Sequence, residues 1–102
     1  MKERTSTANR VEAVERALVI LDAFVEGGEI LSLAALAQKT RLHKSTILRL
    51  AGSLQRFGYL RRDDNGHYRP GPSLWRLGKL YRRGFDLGEL GPLLRTGADL
   101  LD

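Results

Sequence analysis

A chain of 102 residues has room for one small domain, and its hydrophobic content of 42% is enough for a modest core without metal or disulfide support. There is no cysteine, which excludes disulfides and thiolate metal sites, and neither histidine has a partner at ligand spacing. No apolar run is long enough to span a membrane, and the N-terminus lacks the apolar middle of a secretion signal. We therefore expect a soluble, cytoplasmic domain without metal or cofactor.

The net charge of +5 is unevenly distributed. The segment from Lys39 to Arg83 contains 12 Lys or Arg and two acidic residues, Asp63 and Asp64, so it carries +10 and the remainder −5. A solvated basic surface is one explanation. Because the charge is confined to one segment, a polyanionic partner such as a nucleic acid is the favoured one.

The N-terminal part predicts a flexible arm over residues 1–8 and then a helix. Asn9 and Glu12 resemble a capping box, so this helix is expected to begin near Arg10 and to end at Gly27 and Gly28. Its apolar side is predicted to contain Val11, Val14, Leu18, Leu21 and Val25, widened by Val19, Ile20 and Phe24. The surplus width leaves surface for a second subunit, although core packing explains most of it.

Residues 33–57 predict two short helices joined by a tight turn, which is a helix-turn-helix. Residues 30–31 precede it as a short strand, and Ser32 is the predicted N-cap. The first helix ends near Thr40, after three apolar residues on one side: Leu33, Leu36 and Ala37. Turns of this kind often need one residue at positive φ, and here the candidate is Arg41, at a cost of roughly 1 kcal/mol. A relaxed turn without strain is the alternative.

The second helix, Lys44 to Arg56, has two different sides. A turn of about 100° per residue groups the apolar residues Ile47, Leu50, Ala51 and Leu54 on the side that faces a core. The opposite, outward side carries Ser45, Arg49, Gly52 and Arg56. A polyanion can approach such a side closely, and Lys44 with the free N–H groups at the helix start favours phosphate. We interpret the outward side as a DNA-binding face.

After Gly58 the sequence predicts a β-hairpin. Asn65-Gly66 signals a tight turn between strands within 59–63 and 67–70, and Leu60 and Tyr68 are expected to pack on the helices. A helix pair followed by a hairpin is a winged helix. Four wing side chains are placed to enter a minor groove or touch phosphates: Arg61, Arg62, His67 and Arg69. An exposed hairpin kept soluble by its charge is the alternative.

Pro72 fits the first turn of a last helix. Leu74 and Leu77 are expected to close the core, and Trp75 to pack against the domain or a partner rather than stack on bases. Further basic residues on this helix are Lys79, Arg82 and Arg83. Residues 84–102 are rich in both leucine and glycine, which predicts a linker whose apolar residues need another segment.

Three stretches carry a family resemblance: VERALVILDAF, LAALAQKTRLHKSTILRLAGSLQRFGYL and YRPGPSLWRLG. Together they resemble the N-terminal domain of the isocitrate lyase regulator (IclR) type of bacterial transcription factor, over nearly the whole chain. The resemblance implies a winged helix that binds operator DNA as a homodimer. It also implies a helical linker to a larger C-terminal domain, absent here, that binds a small-molecule effector, so we expect an excised domain.

The family pattern places Lys44, Ser45, Thr46 and Arg49 at the DNA, in agreement with the outward side. Two positions depart from it: Arg41 stands where the family usually has glycine, and His43 where it often has proline.

The predicted fold class is therefore mainly α with a small β-hairpin, a winged helix-turn-helix over residues 9–83. The predicted function is sequence-specific binding of double-stranded DNA by a repressor or activator, which associates with the nucleoid when bound. Helix 44–56 would occupy the major groove, with Arg49 reading guanine and Leu48 near a thymine methyl, and wing 59–70 would lie on the minor groove or backbone. The predicted DNA-binding residues are Arg41, His43, Lys44, Ser45, Thr46, Leu48, Arg49, Gly52, Arg56, Arg61, Arg62, His67 and Arg69. A protein-interaction or RNA-binding module is the alternative, and an enzyme is disfavoured because no serine has an identifiable base partner.

Overall fold

Three helices, a β-hairpin and a fourth helix follow one another along the chain, which is the order of a winged helix. The structure is a computed structural model, and it describes residues 10–84. The elements are α1 Glu12–Gly27, α2 Leu33–Thr40, α3 Lys44–Arg56, β1 Leu60–Arg62, β2 Tyr68–Pro70 and α4 Pro72–Gly84. Within these residues, no helix is both long and apolar enough to cross a membrane. The predicted arm, the Asn9 cap and the linker beyond Gly84 lie outside the described residues.

The core lies between α1, α2, α3 and the hairpin. Its buried apolar residues are Ile20, Phe24, Leu31, Leu36, Ile47, Leu50, Ala51, Leu60 and Tyr68. Helices α1 and α3 contribute two and three of these residues, α2 contributes Leu36, and each strand contributes one. The helix-turn-helix is thereby fixed against α1, which holds α3 with one side inward and one outward.

Helix α1 differs from its prediction in its start and its buried side. It begins at Glu12 rather than near Arg10, since Val11 is extended and provides no side-chain cap. Its end at Gly27 is confirmed, with Gly28 at φ 101°. Ile20 and Phe24 are the residues it buries, whereas most of the predicted stripe is exposed by more than half: Val11, Val14, Leu18 and Val25. The prediction included Ile20 and Phe24 only as residues that widen the stripe, because apolar residues surround much of this helix.

The predicted N-cap of α2 is confirmed, because the Ser32 hydroxyl accepts a hydrogen bond from the Ala35 N–H at 3.0 Å. Leu36 is fully buried on the inner side of this helix. Just before the cap, Leu31 exchanges two backbone hydrogen bonds with Tyr68, at 3.0 and 2.8 Å. The expected short strand is thus a single bridge that joins the helix-turn-helix to the hairpin.

The hairpin pairs antiparallel, with Leu60 opposite Pro70 and Arg62 opposite Tyr68. Leu60 and Tyr68 are buried as expected. The turn lies one residue earlier than Asn65-Gly66: the Gly66 N–H donates to the Asp63 carbonyl at 2.9 Å, so the central residues are 64 and 65. Gly66 then takes the positive φ of 84° that ends the turn.

Helix α4 begins at Pro72 as predicted, but it does not close the core. Leu77 is 50% exposed and Trp75 67% exposed, and Leu74 is only half-buried, so the expected packing of these side chains on the domain was wrong. The one residue that α4 buries is Ser73, whose hydroxyl donates to the Phe57 carbonyl at 2.8 Å. This hydrogen bond attaches the first turn of α4 to the end of α3.

Candidate nucleic-acid interface

The turn between α2 and α3 is closed by backbone geometry and by Thr40. The Thr40 hydroxyl donates to the Leu36 carbonyl at 2.7 Å and accepts from the Leu42 N–H at 3.2 Å. Arg41 has φ 64° and ψ 21°, so the predicted left-handed residue is confirmed. Its N–H donates to the Ala37 carbonyl at 2.8 Å, which ends α2, and its side chain is exposed. A positively charged side chain therefore occupies the turn that precedes α3.

Helix α3 spans Lys44–Arg56, the predicted range, and its two sides are separated as its periodicity predicted. Ile47 and Ala51 are fully buried and Leu50 nearly so. The opposite side, which we call the recognition face, consists of Ser45, Leu48, Arg49, Gly52 and Arg56. Its members are exposed apart from Gly52, which is half-buried. The packing of one side on the core thus leaves the other open to a large partner.

The start of α3 offers hydrogen-bond donors. His43 precedes the helix in an extended conformation, with φ −68° and no side-chain cap. The first helical amide bond runs from the Ile47 N–H to the His43 carbonyl at 3.0 Å, so within the described chain the N–H groups of residues 44–46 have no acceptor. His43 and Lys44 are exposed beside these groups, and Thr46 is half-buried. The free N–H groups and the basic side chains at the start of α3 together favour the binding of an anion.

The two arginines of the recognition face differ in their contacts. The Arg49 side chain makes no hydrogen bond, ion pair or ring contact with any residue in 10–84, so its guanidinium keeps its donors for another molecule. Arg56 donates from Nη2 to the Ser53 hydroxyl at 3.2 Å, one turn back on the same helix. Arg49 is therefore the better candidate for reading a base, and Arg56 is partly held along the helix.

The wing places its charged side chains at and around the turn. Arg61 and Arg62 are exposed, and His67 and Arg69 are half-buried. Arg62 donates from Nε to the Gly66 carbonyl at 3.0 Å, and its guanidinium carbon lies 4.7 Å from the centre of the Tyr68 ring. Arg69 Nε lies 3.8 Å from a carboxylate oxygen of Asp63. The four predicted wing residues thus share one hairpin, but they differ in whether their side chains have a partner within it.

A family model for the IclR helix-turn-helix domain matches residues 13–64, which is half of the chain and covers α1, both helices of the pair and the start of the wing. The chain belongs to the IclR family. Its winged helix-turn-helix is the DNA-binding domain of a transcriptional regulator, as the resemblance predicted. In the IclR-type domain described here, Arg41 adopts the left-handed conformation that glycine adopts without strain. His43, at φ −68°, has the backbone angle that proline would impose.

Known relatives agree with this assignment. The HTH-type transcriptional regulator XynR of Escherichia coli K12 is 39% identical over 69 residues, which are 67% of this chain and 27% of XynR. An IclR-family regulator from Brucella abortus superposes with a TM-score of 0.67 at 35% identity, covering 74% of this chain and 30% of the other. An IclR homologue from Microbacterium hydrocarbonoxydans, complexed with 4-hydroxybenzoate, gives 0.59 at 25% identity, over 64% and 27% of the two chains. The chain spans less than a third of each relative.

Sequence reasoning missed one residue that shapes the wing of this IclR-type domain. Asp63, considered only for its charge, accepts hydrogen bonds through one carboxylate oxygen from the N–H groups of Asn65 at 2.9 Å and His67 at 3.0 Å. These bonds, the His67 bond foremost, lower the pKa of Asp63. An aspartate one residue after a strand and three before a glycine is typical of such a turn, which is the signal that could have identified it.

A second missed group ties the end of α3 to α4. The Ser73 hydroxyl accepts from Arg76 Nη2 at 2.9 Å while it donates to the Phe57 carbonyl at the end of α3. The Ser73 N–H also donates to the Gly58 carbonyl at 2.9 Å. No periodic pattern marks a single buried serine, so the sequence could not reveal this junction. It connects the end of the recognition helix with the helix that leaves the domain.

Proposed function

We propose that this domain binds double-stranded DNA sequence-specifically, with α3 in the major groove. The observation that carries the proposal is the division of α3: Ile47 and Ala51 are sealed in the core, while Arg49 is exposed and has no partner in the described chain. An α-helix fits the major groove of B-DNA, where a free guanidinium can donate to both acceptors of a guanine. Such a contact discriminates against the wrong base by about 1–3 kcal/mol.

The remaining members of the recognition face have complementary roles. Ser45 and Gly52 are small enough to let the helix approach base edges, and Leu48, 42% exposed, would contact a thymine methyl group. Contacts to phosphate fix the register of the helix rather than read sequence. We assign them to Arg56 and to the groups around the start of α3: Arg41, His43, Lys44 and Thr46.

The wing is the second contact. Its side chains Arg61, Arg62, His67 and Arg69 surround a turn that projects from the core, and a basic hairpin of this kind lies on the backbone or the minor groove. Helix and wing together would cover one half-site.

We infer that the regulator acts as a homodimer, since one domain covers only a half-site and two half-sites about one helical turn apart supply useful affinity. The exposed valines and leucine of α1, identified above, provide an apolar surface for the second subunit. We further infer a small-molecule effector bound outside residues 10–84. The relative from Microbacterium hydrocarbonoxydans was crystallised with 4-hydroxybenzoate, and the matched part of this chain covers only 27% of that relative.

We also propose that the protein is a cytoplasmic regulator that associates with the nucleoid when it binds DNA. In this proposal it represses or activates transcription and is not an enzyme. Among residues 10–84 there is no group of three potential metal ligands. The basic recognition face is the feature on which the regulator assignment depends.

Selection of duplexes from a random pool at two salt concentrations tests the proposal. We expect the same short motif at both concentrations and an affinity that falls steeply with salt, because phosphate contacts release counterions. If the recovered duplexes shared no motif and bound no more tightly than random DNA, the domain would bind DNA only non-specifically. Competition of the selected duplex with RNA of the same sequence separates DNA recognition from RNA binding, since an A-form major groove is too narrow for α3.

A further inference from the structure

The arginines of the wing fall into two groups when the faces of the hairpin are separated. Residues alternate between faces along a strand, so Leu60 and Arg62 share one face and Arg61 lies on the other. Leu60 and Tyr68 are buried, which makes theirs the inner face. Arg61 pairs directly with Arg69 across the two strands, so these two side chains are neighbours on the outer face.

The charge of the outer pair is only partly compensated within the wing. Directly opposed residues of an antiparallel pair have Cβ atoms about 5 Å apart, and like charges there are destabilising. The Arg61 side chain makes no hydrogen bond, ion pair or ring contact with any residue from 10 to 84, and the Arg69 side chain has only the 3.8 Å ion pair with Asp63. An anion between the two guanidinium groups would relieve their repulsion, and arginine recognises phosphate with paired N–H donors.

Arg62, in contrast, is engaged within the wing. Its Nε donates to the Gly66 carbonyl, and its guanidinium lies over the ring of the buried Tyr68. Gly66 ends the turn at positive φ, so this hydrogen bond holds the turn against the inner face of the hairpin. A guanidinium stacked on an aromatic ring and bonded to a carbonyl has fewer donors to offer DNA.

We propose that Arg61 and Arg69 together bind one backbone phosphate of the duplex, and that Arg62 is a positioning residue that shapes the turn without contacting DNA. This inference rests on the proposed DNA-binding function and assigns separate roles to wing arginines that charge alone does not distinguish. Asp63 completes the arrangement, because backbone hydrogen bonds from Asn65 and His67 hold the carboxylate that faces Arg69.

The salt dependence of DNA binding by the 102-residue chain tests the division. Each lost phosphate contact makes the negative slope of log Kobs against log salt less steep by about 0.9. The affinity of such a variant relative to wild type therefore rises by about 3.5-fold between 50 and 200 mM salt. We expect this change for Arg61→Gln and for Arg69→Gln, and the double variant should lose little more than either alone if they share a phosphate. Arg16→Gln on α1 removes the same charge from a residue paired with Glu12, and it should leave the slope unchanged.

Arg62 is tested with two variants that differ in charge. If it positions the turn, Arg62→Lys and Arg62→Gln both speed hydrogen exchange of the Gly66 amide in the free protein, and both keep the wild-type salt slope. A phosphate contact would instead give a normal slope for Arg62→Lys and a reduced one for Arg62→Gln, which would overturn the inference. An unchanged slope for Arg61→Gln would overturn it as well. Wild-type chain that fails to bind any duplex would refute the proposed function itself, so the two failures are distinguishable.

Discussion

Replacement of Arg41 by glycine should make the domain more stable and bind DNA less tightly. Arg41 lies in the left-handed region, at φ 64° and ψ 21°, where a residue with a Cβ incurs about 1–2 kcal/mol. Glycine removes that strain but adds about 0.4–1 kcal/mol of chain entropy to the unfolded state. The net gain therefore lies between about 0 and 1.6 kcal/mol, and its midpoint of about 0.8 kcal/mol raises Tm by roughly 3–6 °C for a domain of this size.

Thermal unfolding of Arg41→Gly beside Arg41→Ala measures the effect, since alanine loses the side chain but keeps the strain. The N–H of residue 41 still donates to Ala37 in both variants, so the end of α2 is preserved. In DNA binding, both variants remove the one charge that we assign to a phosphate at residue 41. The slope of log Kobs against log salt should therefore become less steep by about 0.9 in both. A glycine variant no more stable than the alanine variant would refute the reasoning about strain.

Three further predictions concern the supports of the interface. Gly71→Ala should lower the urea midpoint by the equivalent of about 1–3 kcal/mol, because a Cβ there would collide with the backbone carbonyl of Gly58; an unchanged midpoint would count against this packing. Ser32→Ala should cost about 1 kcal/mol of unfolding free energy through the lost N-cap, and no cost would mean that solvent replaces the bond. The lowered pKa of Asp63, due mainly to the His67 N–H, stabilises the fold above the ordinary carboxyl pKa, and this contribution is lost as pH falls through the lowered value. Urea unfolding should therefore show that the free energy of unfolding falls more between pH 7 and pH 3 for wild type than for Asp63→Asn. An equal decrease in both proteins would contradict this role of Asp63.

The recognition helix was the part of the fold that its sequence predicted best. Lys44 to Arg56 contains one apolar stripe and one polar side with no ambiguity between them, so the 3.6-residue period determines both its bounds and its buried side. The positive φ of Arg41 was one of two possibilities that the sequence left open, because such turns often, but not always, contain a left-handed residue.

Helix α1 shows where the periodic signal fails. Four consecutive apolar residues, 18–21, place apolar atoms on every side, so the sequence does not specify which side meets the core. The packing of α2 and α3 selects Ile20 and Phe24, which lie four residues apart, and leaves Leu18 and Val25 exposed. That choice depends on partners distant in sequence.

Helix α4 was mispredicted for a related reason. Leu74 and Leu77 have core spacing, but the helix is held at its first turn by Ser73 and the close approach of Gly71 to Gly58, which directs its apolar side away from the core. A short hydrogen-bonded junction, rather than amphipathicity, sets the direction of this helix. The wing turn moved by one residue because Asp63 stabilises a turn centred on residues 64 and 65.

The central claim, that the recognition face reads bases, is tested most directly by the affinity of Arg49→Ala for a selected duplex and for an unrelated one. We expect the ratio of the affinity for the selected duplex to that for the unrelated duplex to fall by roughly 5- to 150-fold. This fall is the equivalent of a bidentate guanine contact of about 1–3 kcal/mol. Arg56→Ala, at a residue that we assign to a phosphate contact on the same helix, should weaken binding to both duplexes alike. Equal losses on both duplexes for Arg49→Ala would contradict the claim.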